Sequence, residues 1–335
     1  MVIMPKVVRF YEFGSADVLK LEDEPLKEPG TGEVRLKVEA IGLNRSEVGF
    51  RAGQYLELPD TFPSTLGYEA SGVIDALGAG VTGLQIGDRV STIPAFSMKQ
   101  YGVYGESAII PAAAVATYPD NLSANQGTAI WMQYITAYGP LVEYGQVKAG
   151  DFVLITAASS SVGYSAIQIA KAAGAVAIAT TRGTAKRQTL LDNGADHVIV
   201  TNEEDLVSRV MSITAGHGAD LIFDAVAGTF LETLANAAAP GATIFVYGSL
   251  SPDAVTPLPL FAALQKGLKI QGYTLFEITT HPAKLNHAKQ YIYDGLKSGV
   301  LVPILDRVFS LDQIVEAHQY MESNQQNGKI IVTVS

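Results

Sequence analysis

The chain has 335 residues, 48% of them apolar and 17% charged, with a formal net charge of -10 and no cysteine. That length suits two domains, and the acidic balance argues against nucleic acid or an anionic membrane as a main partner. The missing cysteines exclude disulfides, thiol nucleophiles and every zinc site with a thiolate ligand.

The five histidines begin only at His197, so the first 196 residues could offer a metal nothing but oxygen ligands, and no metal is expected. The start, MVIMPKVVRF, lacks the apolar core of a signal peptide, and no stretch reads as a lipid-spanning helix. A cytoplasmic location is expected.

Residues 1 to about 125 read as β-rich. Glu33 to Ala40 alternates strictly, with Val34, Leu36, Val38 and Ala40 on one face and charges on the other. Val73-Ile74 and Arg89 to Ile93 are further strands, punctuated by turn signals at Pro29-Gly30, Gly78-Ala79-Gly80 and Ile86-Gly87-Asp88. A small barrel fits. From Ser123 the texture turns helical through Gln126 to Leu141, and Phe152 to Ile155 follows as an apolar strand of the kind buried on both faces of a parallel sheet.

After that strand comes a turn of very small residues, Ala157 to Ser161, then Val162 and Gly163, where a helical period begins. Val162, Ala166, Ile169 and Ala173 share one face, Gly174 ends the helix, and Val176 to Thr180 makes the next strand. Strand, small turn, helix and strand form the first unit of a dinucleotide-binding fold, with the pyrophosphate at the helix N-terminus. The three glycine positions of that fingerprint read Ala157, Ser160 and Gly163, so only the last is glycine. Ala158, Ser159, Ser160, Ser161, Val162 and Gly163 are the expected pyrophosphate cradle, the serine hydroxyls capping the helix or bonding a phosphate oxygen.

An acid about twenty residues past this turn would mark NAD. Here Thr181-Arg182 stands there instead, followed by Lys186 and Arg187, with no acid between Lys171 and Asp192. Arg182, with either Lys186 or Arg187, suits the 2′-phosphate of NADPH; two charged hydrogen bonds of ~1.5 kcal/mol each would favour it roughly a hundredfold.

Further strands are expected at Asp196 to Val200, Leu221 to Phe223, Ala242 to Tyr247 and Leu268 to Gln271, with helices at Glu203 to Ile213 and Phe230 to Ala238. Six strands with crossovers make a doubly wound α/β sheet. Tyr247-Gly248-Ser249 ends the fifth strand, at the carboxyl edge where ligands bind. Past Gly272 a helix from Pro282 to Ser298, a second from Leu311 to Glu322 and a last strand from Lys329 to Val334 are read as returning to the barrel. The expected division is 1–125 with 273–335 against 126–272.

This layout, with GYEASGVI at 67–74, IGDRV at 86–90, MQYITAY at 132–138, the AASSSVG turn and GKIIV at 328–332, resembles the medium-chain dehydrogenase/reductase superfamily. Within it the chain is similar to the zinc-free quinone oxidoreductase and enoyl reductase branch. The resemblance implies a GroES-like β-barrel catalytic domain, an inserted Rossmann domain, NADPH and a homodimer. It also implies that Thr136 lies by the nicotinamide, and that Lys329 approaches the cofactor by its backbone. Zinc alcohol dehydrogenases of the superfamily use a cysteine and a histidine where this chain has Asn44 to Glu47 and Tyr68-Glu69.

With NADPH and no zinc, the economical reaction is hydride transfer from nicotinamide C4 to a quinone or an α,β-unsaturated carbonyl. Asn44 is a candidate to bond the acceptor carbonyl or the nicotinamide ribose. Tyr55 matches a tyrosine that looks like the proton donor of related enoyl reductases, solvent being the other source. An enoyl-thioester reductase would need a basic entrance, for which Arg45, Arg51 and Lys99 are scattered candidates; a protein that binds NADPH without turnover is the alternative of another class.

Overall fold

The computed structural model describes residues 3–334. The chain divides into two compact units, Met1–Met132 with Pro303–Ser335, and Gln133–Val302.

In the first unit β1 (Lys6–Arg9) pairs antiparallel with β2 (Lys20–Asp23). A larger sheet is built from β3 (Glu33–Gly42), β4 (Glu69–Leu77), β5 (Arg89–Thr92), β6 (Ser107–Pro111) and β7 (Val115–Thr117), joined from the C-terminus by β14 (Leu305–Ser310) and β15 (Lys329–Thr333). Among the described residues its order is β14-β15-β3-β4-β5-β7, with β6 on β3. The alternation read from β3 is present, Val34, Leu36, Val38 and Ala40 being buried. Arg35, expected on the charged outer face, is buried too; its guanidinium meets Asp75 at 2.8 Å and Glu28 at 2.9 Å, which is how a charge survives there.

The second unit holds the parallel sheet: β8 (Phe152–Ile155), β9 (Val176–Thr181), β10 (His197–Val200), β11 (Ala219–Asp224), β12 (Ala238–Val246) and β13 (Lys269–Gly272). Their order is β10-β9-β8-β11-β12-β13. The first strand in sequence therefore lies mid-sheet, and the order reverses between it and β11, the arrangement that opens a ligand crevice at the carboxyl ends. Leu154, Ile178, Ile199, Ile222 and Ile244 come from five of these strands and are wholly buried in one core.

Three readings change. The helix after β8 runs Ser161–Ala172, and its buried face is centred on Gly163, Ala166, Ile167 and Ala170, leaving Val162 and Ala173 half-buried at the margin. The helix expected from Glu203 begins at Leu206, because Glu204 turns back to accept the Val200 N–H (2.9 Å) and Asp205 caps the helix by accepting from Ser208 N–H (2.8 Å).

The third concerns the boundary: helix Pro282–Ser298 belongs to the second unit, and the chain rejoins the first only at Pro303. Its apolar stripe of Leu285, Ala288, Ile292 and Leu296 is buried. Tyr291 packs on Tyr138 with ring centroids 5.3 Å apart, and Lys284 Nζ donates to the Tyr144 hydroxyl at 3.0 Å. Gln168 then clamps Val302 through both its backbone groups, at 2.9 and 3.0 Å.

Candidate active and cofactor-binding residues

In the second unit the turn after β8 is shaped by packing. Gly163 has no alternative: a Cβ there would stand 2.4 Å from the Ala158 carbonyl oxygen. Ala157 adopts φ 46°, the left-handed region that glycine takes at no steric cost. Ser160 is the helix N-cap, its hydroxyl oxygen accepting from Gly163 N–H at 3.0 Å. Its own proton is left to donate, so the hydroxyl serves both roles foreseen for it. Ser159, Ser161 and Val162 are half-buried around it, and Ala158 is buried.

At the end of β9, Thr181 is half-buried and Arg182 exposed; Lys186 and Arg187 follow within one turn of 3-10 helix and the start of the next helix. Arg187 lies 3.8 Å from Glu204, a carboxylate already held at 2.6 Å by Arg209. The Val200 N–H, with Arg209, holds that carboxyl below its usual range.

The switch point between β8 and β11 carries a polar tie that sequence reading missed. Thr156 donates to Asp224 at 2.8 Å and accepts from Ala225 N–H at 2.8 Å, while the Asp224 carboxylate also accepts from Val226 and Ala227 N–H, each at 2.9 Å. Burial pushes the Asp224 carboxyl up. Just past β12, Tyr247 stacks on Phe223 with centroids 4.0 Å apart. Its hydroxyl is buried beside Ser160 without a partner of good hydrogen-bond geometry. Gly248 and Ser249 follow, half-buried and exposed.

Thr136 is buried in helix Trp131–Tyr138. Beyond it Gly139–Tyr144 is a π-helix containing Pro140, which has no N–H to give. The Tyr273 hydroxyl donates to the Ile135 carbonyl at 3.0 Å, lying where a Cβ on Gly139 would come within 2.2 Å of it. Such insertions into a helical ladder recur at functional sites. The dipeptide Gly139-Pro140 was the available signal.

In the first unit, Asn44 sits between β3 and helix Arg45–Ala52. Glu47 reaches back to accept the Asn44 N–H at 2.6 Å, and its other oxygen accepts from Tyr68 N–H at 3.2 Å. Burial pushes the Glu47 carboxyl up to about 7, against the pull of the Lys329 charge and these hydrogen bonds. Lys329 is fully buried: its ammonium pairs with Glu69 and donates to the Asn44 amide oxygen at 2.6 Å. The Asn44 amide protons face Gly42 O, Glu47 and Glu69 at 3.2 to 3.3 Å.

Asn44 therefore has no proton left for an acceptor carbonyl. What remains is one lone pair on its amide oxygen, which suits a hydroxyl such as that of a ribose. Lys329, expected to approach a cofactor by its backbone, spends its N–H on Ile304 O at 2.9 Å and its ammonium on Glu69 and Asn44.

Tyr55 is half-buried and pushed by burial up to about 12. Tyr68 is itself wholly buried and donates to Glu57 at 2.9 Å. Among the described residues no cluster of three or more His, Asp or Glu side chains could hold a metal ion, and no helix is long and apolar enough to cross a membrane.

Residues 30–120 match a family described as the alcohol dehydrogenase GroES-like domain, and residues 161–289 one described as zinc-binding dehydrogenase. The chain is similar to human quinone oxidoreductase, at 33% identity over 330 residues covering 98% of this chain and 97% of that protein. It superimposes on Escherichia coli quinone oxidoreductase complexed with NADPH with a TM-score of 0.89, at 29% identity over 98% and 99% of the two chains. A structure described as an NAD-dependent alcohol dehydrogenase gives 0.88 and 30% identity over 98% and 100%. A sheet order, a small-residue turn and relatives that share nearly the whole chain thus agree: the protein belongs to the medium-chain dehydrogenase/reductase superfamily, in its quinone oxidoreductase-like branch.

Proposed function

We propose that the protein is an NADPH-dependent, zinc-independent reductase of quinones or α,β-unsaturated carbonyls. When bound, NADPH supplies the hydride. The observation that carries the cofactor reading is the second unit's carboxyl edge, where Ser160 keeps a free proton and the buried Tyr247 hydroxyl beside it lacks a good partner. A phosphate or ribose oxygen would satisfy both. The Ser159 to Gly163 turn would hold the pyrophosphate, and Arg182 with Lys186 or Arg187 the 2′-phosphate. Thr136 would meet the carboxamide, and Gly248 and Ser249 would flank the ring. The NADPH complex of the Escherichia coli relative supports this choice, whereas the NAD-dependent neighbour makes cofactor preference the first thing to measure.

The zinc implied by the family description does not fit these residues. Where zinc-dependent members have thiolate and imidazole ligands, this chain offers an amide, a phenol and two buried carboxylates, Glu47 and Glu69, and the Lys329 ammonium pairs with Glu69 and acts on Glu47. A dication there would face a buried ammonium in a low-dielectric setting, which is strongly repulsive.

The homodimer and the cytoplasmic setting belong to the same proposal. Helix Leu260–Lys266 exposes Phe261 (85%) and Leu264 (72%) next to β13, an edge strand, and a second copy is the simplest cover for both. Sedimentation would give a monomer if this part is wrong.

The test is oxidation of NADPH against NADH with 1,4-benzoquinone, a simple enone and crotonyl-CoA, with a chelator present. Turnover preferring NADPH and indifferent to chelator is expected. Chelator-sensitive activity, or NADPH binding without turnover on any acceptor, would overturn the reading.

A further inference from the structure

Asp224 ends β11 at the point where the sheet order reverses, and it is wholly buried. A buried carboxylate is costly unless its oxygens are bonded. Here one oxygen accepts the Thr156 hydroxyl at 2.8 Å and Val226 N–H at 2.9 Å, and the other accepts Ala227 N–H at 2.9 Å.

These bonds reach three turns of the carboxyl edge at once. Thr156 opens the turn after β8, and its oxygen also accepts Ala225 N–H at 2.8 Å. The turn after β11 is bent around the carboxylate, which holds Ala227 at φ 58°, a strained value for a residue with a Cβ. The turn after β12 lies on that one. Tyr247 N–H donates to the Asp224 carbonyl at 2.9 Å, Leu250 N–H to Ala225 O at 3.0 Å and Ser251 N–H to Val226 O at 2.8 Å. Gly248 must be bare, since a Cβ on it would stand 2.9 Å from Ala225 O.

Backbone strain persists only where its surroundings over-determine it, and ligand clamps are where it concentrates. The turns so fixed carry a group that lacks a partner, the buried Tyr247 hydroxyl. Arg182, at the end of β9, lies on the other side of β8 in the sheet. In a doubly wound sheet the two sides of the switch point take the two halves of a dinucleotide.

We propose that Asp224, acting through Thr156 and the turns after β11 and β12, is a positioning residue for the nicotinamide half of NADPH. The adenosine half is left to Arg182 and its neighbours. The inference rests on the cofactor reading above. Because the tie is made within the protein, the turns are set before the cofactor arrives, and binding needs less ordering of the chain.

Calorimetry with NADPH and with adenosine 2′,5′-bisphosphate, the adenosine half alone, separates this role from a general structural one. Asp224→Asn puts an amide donor against the Val226 or Ala227 N–H, and Thr156→Val leaves Ala225 N–H without its partner. Each should weaken NADPH by roughly tenfold, the loss of about one hydrogen bond, with the affinity for the bisphosphate unchanged. Thr156→Ser keeps the hydroxyl and should restore NADPH binding.

Equal weakening of both ligands would give Asp224 a structural role and overturn the proposal. So would wild-type NADPH affinity in Thr156→Val, or a Thr156→Ser as weak as Thr156→Val; these two variants decide the matter if Asp224→Asn does not fold. A wild-type protein that binds neither ligand would instead remove the cofactor reading, and the positioning role with it.

Discussion

Replacing Lys329 by methionine tests the polar knot around Asn44 most directly. The ammonium is wholly buried, and Glu69 opposite it is 1% exposed. Without Lys329 the Glu69 carboxylate would keep only Met132 N–H at 2.8 Å and the Asn44 amide at 3.3 Å, and Glu47 would lose its nearest cation. Breaking a buried pair from one side costs about 3–5 kcal/mol, because the remaining charge stays buried and uncompensated.

The loss must depend on pH, and the sign follows from Glu47. Its carboxyl is raised from 4.5 to about 7 in the folded protein, so the folded state binds a proton that the unfolded state has released. Stability from this group is thus greatest below pH 4.5 and falls as pH rises towards 7, by about 3 kcal/mol at 1.4 kcal/mol per unit. Removing Lys329 takes away the charge that pulls the Glu47 carboxyl down, which pushes it higher and extends the decline past neutrality.

Urea unfolding at pH 6 and pH 8 is the assay, with Lys329→Met, Glu69→Leu and the double variant. Lys329→Met should lose several kcal/mol at pH 8 and less at pH 6. Glu69→Leu, which strands the ammonium instead, should lose more at pH 6 than at pH 8. The double variant should recover most of the loss at pH 6, where Glu47 is protonated and no lone charge is left behind. A Lys329→Met loss below about 1 kcal/mol at pH 8, or strict additivity in the double variant, would refute the reasoning.

Arg182→Ala should raise the KM for NADPH by roughly tenfold and leave that for NADH unchanged, as expected for one charged hydrogen bond to a 2′-phosphate; equal effects on both cofactors in steady-state kinetics would remove Arg182 from the site. Gly163→Ala forces a methyl to within 2.4 Å of the Ala158 carbonyl oxygen, so the turn must shift, with a loss of about 1–3 kcal/mol in thermal unfolding and weaker NADPH binding by calorimetry. Unchanged binding would mean the turn does not cradle the cofactor. Ala157→Gly relieves a residue at φ 46° and should stabilise by up to about 1 kcal/mol in urea; a clear loss would show that the left-handed conformation is not strained.

What the sequence made legible was local. The strand, small turn and helix from Phe152 to Ala172 announce themselves because both periodicities lie within twenty residues, and the missing acid after β9 needs only a count. The knot around Asn44 could not be read so. It brings Lys329 to partners 285 and 260 positions away, and no local pattern marks a lysine at the start of a terminal strand as buried. Thr156 and Asp224, 68 positions apart, meet only because β8 and β11 are neighbours in the sheet. The helix Pro282–Ser298 was legible as a helix, but an apolar stripe says that a face is covered and not by what. Its partner was fixed by Tyr138, Tyr144 and Gln168, and the expected boundary moved from 273 to 303 with it.

The same knot bears on which acceptors can react. An isolated ketone needs strong polarisation of its oxygen before it takes a hydride, and a metal ion supplies that in zinc enzymes. Here the buried cation beside Asn44 is Lys329, and two of its three N–H groups are held by Glu69 and the Asn44 oxygen. Asn44 has spent its own protons as well, on Gly42, Glu47 and Glu69. Neutral hydroxyls are the donors that remain in this part of the chain, among them the phenol of Tyr55, a weak acid made weaker by burial, and the buried hydroxyl of Ser46. One neutral hydrogen bond stabilises a developing oxyanion far less than a metal does, so the acceptor must delocalise the incoming charge itself. Conjugation does this: a quinone becomes aromatic, and an enone spreads charge over an enolate. The side-chain chemistry of this part of the chain thus favours conjugated acceptors over simple ketones.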